Sequence, residues 1–165
     1  MSASSPPQRR AGRKFDSLEQ EAYLHLWRTY DRLKAIEDDL FETHRLSAQQ
    51  YNTLRLLRAA APEALTVQGL ASRLISRAPD MTRLLDRLEE RGLILRTRRT
   101  GNRRIVDVSL TDAGRTLLEE LAEPVRNVHR RQLAHLSADQ LRMLIELLSV
   151  ARGPHEEPDS PWSPR

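Results

Sequence analysis

At Gly92 the apolar rhythm of this chain changes period, and few folds accommodate such a change. Before it, Met81, Leu84, Leu85 and Leu88 recur at spacings of three and four, the stripe of a helix that buries one face. After it, the segments from Leu93 to Arg98 and from Arg103 to Leu110 flank Thr100, Gly101 and Asn102, and Val106 and Val108 alternate with Asp107 and Ser109. A period of two around a glycine turn predicts a β-hairpin. Glycine ends the helix because it tolerates the left-handed conformation that closes a last turn.

The residues upstream of this switch extend the pattern. Thr66 is placed to cap a short helix with Val67, Leu70 and Leu74 turned inward, and Ser76 and Arg77 supply a brief turn. Pro79 suits the first turn of the next helix, where no amide donor is needed, so that helix is predicted from Pro79 to Arg91. Short helix, tight turn and longer helix form a helix-turn-helix, and the hairpin that follows reads as a wing.

Longer helices flank this middle. Leu18, Ala22, Leu26, Tyr30, Leu33 and Leu40 fall near helical spacing, which predicts a helix from about Asp16 to Phe41 that needs a partner to cover it. Ser47 with Gln50, and Ser137 with Gln140, have the spacing of capping boxes, each preceded by a leucine that can staple the turn. Thr111 and Asp112 open a helix with Leu117, Leu118 and Leu121 on its apolar face, and Pro124 inside it predicts a kink at a cost of about 3 kcal/mol if unrelieved. The expected fold is mainly α with a small β-hairpin wing. Residues 1–14 and 153–165 lack an apolar period and are expected to be a disordered basic arm and a disordered tail.

Charge is concentrated where the period changes. The whole chain carries +4, yet between Arg73 and Arg104 ten arginines face only Asp80, Asp86, Glu89 and Glu90, so this stretch holds +6 and the remainder −2. Arg96, Arg98, Arg99, Arg103 and Arg104 sit within nine residues, a mutual repulsion that only a polyanion would relieve. On the helix, the inward stripe turns Asp80, Thr82, Arg83, Asp86 and Arg87 outward. A helix of this width fits the major groove of duplex DNA, where an arginine can bind a phosphate or the O6/N7 edge of a guanine. Alone, it would serve equally as an ordinary solvated surface helix, and the hairpin charges alone as an edge guarded against aggregation. Their succession favours DNA, and a wing turn of this size could carry arginines into the minor groove.

The order and wording of LASRL, MTRLLDRLEERGLILR and RRIVDVSLTDAGRTLLEEL resemble the MarR family of bacterial regulators, over about Phe15 to Arg152. The resemblance implies a winged helix-turn-helix at 46–111 within a single domain at 15–152, and intertwined dimerisation helices at 15–45 and 112–152. It also implies a homodimer on a pseudo-palindromic double-stranded operator, with half-sites one DNA turn apart, roughly 34 Å. The family's wing usually carries Asp-x-Arg. Here those positions read Asn102, Arg103, Arg104, so Arg104 inherits the groove-reading role and Asn102 replaces the bracing acid. The expected DNA-binding residues are Arg77, Asp80, Thr82, Arg83, Arg87, Arg98, Arg99, Arg103 and Arg104. Many relatives bind a small aromatic or anionic effector, for which Trp27, Tyr30, His44 and Tyr51 are candidates, each also explicable as packing.

Other functions find little support. The five histidines show no HExxH and no paired-ligand spacing, and no P-loop or GxGxxG is present, so neither an enzyme nor a cofactor or metal requirement is expected. Cysteine is absent, which excludes disulfides and a thiol-based redox switch. No apolar run approaches the roughly 20 residues of a membrane span, and a cytoplasmic protein is expected. The alternatives are a winged-helix protein-interaction module without DNA binding and a metal-responsive regulator; with 4% aromatic residues, RNA stacking is disfavoured.

Overall fold

The computed structural model describes residues 15–75, 80–157, 160 and 162. In chain order these form helices α1 (Leu18–Thr43) and α2 (Ala48–Ala60), strand β1 (Leu65–Thr66), helices α3 (Val67–Ala71) and α4 (Met81–Glu90), and strands β2 (Ile94–Arg99) and β3 (Asn102–Leu110). Helices α5 (Asp112–Leu133) and α6 (Ala138–Arg152) complete the fold, followed by a 3-10 turn at Gly153–His155. By internal packing the chain divides into a unit that ends at Ala35 and a unit that begins at Ile36.

In the first unit, Ser17 Oγ accepts from the amide of Gln20, and the Gln20 side chain bonds both the amide and the carboxylate of Asp16. These contacts satisfy donors that a helix start leaves orphaned. Leu18, Tyr23, Leu26, Trp27 and Tyr30 are all exposed within the chain.

The second unit holds the core. Leu54 and Leu57 of α2, Leu70 of α3, Leu84, Leu85 and Leu88 of α4, Val108 of β3, and Leu118 and Leu121 of α5 are buried in one cluster. Both capping boxes form as the spacing predicts: Ser47 and Gln50 exchange bonds of 3.2 and 2.9 Å, and Ser137 and Gln140 of 3.2 and 2.8 Å. Thr66 caps α3 by accepting from Gly69 at 3.0 Å, and Thr111 caps α5 by accepting from Gly114 at 3.1 Å. Gly92, at φ 68°, closes α4 with its own amide on Glu89 O and that of Leu93 on Leu88 O, a Schellman pair. Gly114 lies where any Cβ would collide with the main chain of Leu93.

The sheet has a third strand that periodicity did not reveal. Leu65 and Thr66 pair antiparallel with Val108 and Asp107, giving the order β1-β3-β2. Two residues are too short to show alternation, and Thr66 also serves as the cap of α3. Helix α4 begins at Met81 rather than at the expected Pro79, because Asp80, with a non-helical backbone at φ −142° and ψ 83°, is its N-cap and accepts from Arg83 N at 2.9 Å. Ser76, Arg77 and Pro79 lie outside the described residues, as does the expected arm at 1–14. Pro124 does not end α5, which continues helical on both sides of it. The tail also differs from a featureless coil: Arg152 Nε lies 2.9 Å from Glu156, and its guanidinium stacks over the Trp162 ring at 5.6 Å. Among the described residues, no helix is long and apolar enough to cross a membrane.

Candidate nucleic-acid interface

Helix α4 buries Leu84, Leu85 and Leu88 and thereby turns Thr82, Arg83 and Arg87 to solvent. Arg83 and Arg87 are one turn apart on one face, where like charges repel. Neither has an ion-pair partner among the described residues. Beside them runs an open groove of about 280 Å³, lined by Ser47, Gln49 and Gln50 of α2 and its cap, and by Asp80, Arg83, Leu84 and Arg87. Asp80, expected to face DNA from within the helix, instead spends one carboxylate oxygen on the helix start.

The hairpin arginines are not equivalent, and here the structure corrects the expectation that only a polyanion could relieve their crowding. Arg96 donates from Nε to Glu89 at 2.9 Å and from one terminal nitrogen to Glu89 and Asp86, both at 2.6 Å. Arg99 makes a two-pronged pair with Asp107 at 3.0 and 2.7 Å. Charge-assisted forks of this kind are the strong members of their class. The Arg96 guanidinium holds the Glu89 carboxyl below the usual range, and Glu89 in turn raises Arg96. Arg99 and Asp107 shift each other in the same two directions, through the same hydrogen bonds. Arg98 and Arg104 remain exposed and without an ion-pair partner among the described residues. The side chain of Arg103 lies outside what is described.

The wing tip is irregular in a way that favours Arg104. Arg98 faces Val106, but the next residue of β2, Arg99, already faces Asn102 across the turn at Gly101, φ 90°. Residues 103–105 therefore stand outside the regular register, and bulges of this sort redirect side chains. Asn102 Oδ1 accepts from the backbone amide of Arg104 at 3.1 Å. The substituted brace thus acts on the main chain, not on the guanidinium as a side-chain brace would.

Sequence reasoning missed the carboxylate partners, for which a weak signal existed. Asp107 shares its face of the ribbon with Thr97 and Arg99, a diagonal cross-strand neighbourhood. Asp86 and Glu89 are one turn apart on α4, ahead of a basic strand. The effector candidates are placed differently. Tyr51 stacks on Phe41 with ring centroids 4.8 Å apart, and His44 Nδ1 lies 3.2 Å from Leu40 O. Trp27, 61% exposed, has its ring centroid 6.2 Å from that of Tyr23, and Tyr30 is also exposed. None of the four lines the groove beside α4.

A helical core with a helix-turn-helix, a three-stranded sheet and an arginine-tipped hairpin defines a winged helix-turn-helix protein. The MarR family model matches residues 46–106. A MarR transcription factor from Planctomyces limnophilus is 61% identical, with a TM-score of 0.67 over 83% of this chain and 99% of that one. The chain belongs to the MarR family. It is also 28% identical over 124 residues to the homoprotocatechuate degradative operon repressor of Escherichia coli, covering 74% of this chain and 82% of the relative. MepR of S. aureus, solved as a complex with DNA, is 25% identical with a TM-score of 0.70, over 78% of this chain and 95% of that one.

Proposed function

We propose that this MarR-family chain is a DNA-binding transcriptional regulator, a repressor that holds a pseudo-palindromic operator as a homodimer. Helix α4 enters the major groove with Thr82, Arg83 and Arg87, and the wing brings Arg98 and Arg104 to the flanking minor groove. Arg99 contributes mainly by stiffening the ribbon. The carrying observation is the division of labour among the arginines: Arg96 and Arg99 are neutralised internally, whereas Arg83, Arg87, Arg98 and Arg104 stay exposed. Exposed guanidiniums that the chain does not pair are what a phosphate backbone recruits.

Residues 15–45 and 112–152 serve as dimerisation helices. Supporting this, α6 has no buried side chain of its own, and Met143, Ile145, Leu147 and Val150 are all exposed. Apolar surface of this extent favours a partner. The protein acts by binding rather than by catalysis, in the cytoplasm with its DNA. A small aromatic or anionic effector releases the operator by favouring a spacing of the two α4 helices that does not fit it.

Sequencing the genomic fragments retained by the purified protein tests the function directly. Affinity for such a fragment should fall by about 10³-fold between about 50 and 200 mM salt for some six phosphate contacts. Arg104→Ala should weaken binding and flatten the salt slope by about one. Wild-type affinity and slope in that variant would refute the wing assignment, and no retained fragment in dilute buffer would refute DNA binding.

A further inference from the structure

The contacts of Arg96 tie together the two parts of the protein proposed to read DNA. Its guanidinium reaches from β2 to Glu89 and Asp86 of α4, and its own backbone amide donates to Glu89 Oε1 at 3.1 Å. One carboxylate therefore grips both the main chain and the side chain of a single strand residue. The Arg96 guanidinium is better shielded than that of its neighbour on the same strand, 25% exposed against 50% for Arg99, although Asp107 is less exposed than Glu89. Shielded pairs resist salt better than open ones.

Its position decides what such a grip can do. Arg96 stands opposite Val108, two residues before Arg98, which is the last β2 residue in regular register before the irregular tip. The strand from 96 to 98 is thus the arm between the clamp and the wing arginines. On the other side, Asp86 and Glu89 alternate along α4 with the exposed Arg83 and Arg87. Apolar packing of Leu88, Leu93 and Ile94 in the common core brings helix and strand together, but dispersion contacts are non-directional. A planar fork held at several points sets an angle.

We infer that Arg96 is a positioning residue for DNA recognition: it leaves the duplex untouched and fixes the wing relative to α4, so that major-groove and minor-groove contacts are made together. This rests on the DNA-binding reading above. Preorganisation of this kind raises affinity by removing the cost of ordering the wing on binding. Arg96→Lys keeps the charge but loses the fork, and Arg96→Gln loses both.

The test uses a duplex chosen from the retained genomic fragments, with two footprints on the same complex. Guanine N7 methylation reports the major groove, and hydroxyl-radical cleavage reports the flanking minor groove. Both variants should lose about tenfold in affinity and most of the minor-groove protection while keeping the major-groove protection. A merely structural role would weaken both footprints in step, and a merely electrostatic one would let Arg96→Lys behave as wild type; either result overturns the proposal. Should the variants fail to fold, the Nε–H resonances of the wild-type arginines give an independent answer. That of Arg96 should exchange with solvent at least about tenfold more slowly than those of Arg98 and Arg104 in the free protein, and should hold its position when duplex is added while theirs move. Fast exchange at Arg96, or a shift on duplex addition as large as theirs, would overturn the proposal. If no duplex is retained, the DNA-binding reading has failed, and slow exchange at Arg96 then upholds the clamp while fast exchange refutes it.

Discussion

Asn102 and Gly114 each hold a main-chain arrangement that a neighbour depends on. Asn102 fastens the amide of Arg104 within the irregular tip, so its side chain positions the residue proposed to enter the minor groove. Asn102→Ala should lower duplex affinity by up to about fivefold, the net worth of one such hydrogen bond at roughly 1 kcal/mol, and the melting temperature by no more than about 2–4 °C; fluorescence anisotropy and thermal denaturation check the two halves. Gly114 has no room for a side chain against Leu93. Gly114→Ala should destabilise the fold by about 1–3 kcal/mol, read from the midpoint of urea denaturation. The glycine stands inside the VSLTDAG motif, so it was visible as a signature, but its reason was not: the colliding carbonyl belongs to a residue far away in the chain.

Among the elements, those governed by short-range chemistry were legible in advance and those governed by register were not. Both capping boxes, the Thr66 and Thr111 caps and the Gly92 closure follow from residues within five positions of one another, and each formed. Ser47→Ala and Ser137→Ala should each cost about 0.5–2 kcal/mol, typically about 1, measurable by calorimetry. Strand β1 carries too few residues for any period. The clamp from β2 to α4 requires knowing how the hairpin folds over the helix, which pattern alone does not state. Its pH behaviour follows from the shifted carboxyls. Glu89 and Asp107 are held below their ordinary range by Arg96 and Arg99, so the folded state binds fewer protons than the unfolded one. The stabilisation is complete at neutral pH and is lost as pH falls through and below the usual carboxylate range. Amide protection across the hairpin, taken relative to the intrinsic exchange rate at each pH, should accordingly fall on acidification toward about pH 3 while that of α2 changes less.

At the scale of the whole molecule, helices α1 and α6 both expose large apolar side chains, which the long helical pattern of the sequence already implied for α1. Leu147→Asp places a charge in that surface. The variant should sediment as a monomer and lose about a hundredfold in operator affinity, since each half-site is then bound alone. Wild-type sedimentation in that variant would remove α6 from the interface. The candidate DNA surface was legible as a region, through its ten arginines, but not as a set of roles, because charge counting does not show which guanidiniums are already engaged.

Arg91 is one of those engaged residues, and its partners are main-chain oxygens: it donates to Arg45 O at 2.7 Å and to His44 O at 3.2 Å. The corner after α1, where Arg45 takes a positive φ of 54°, is thereby moored to the far end of α4. A molecule that tugged on this corner would have a rudder in hand, steering α4 from its stern without touching the face proposed to meet an operator.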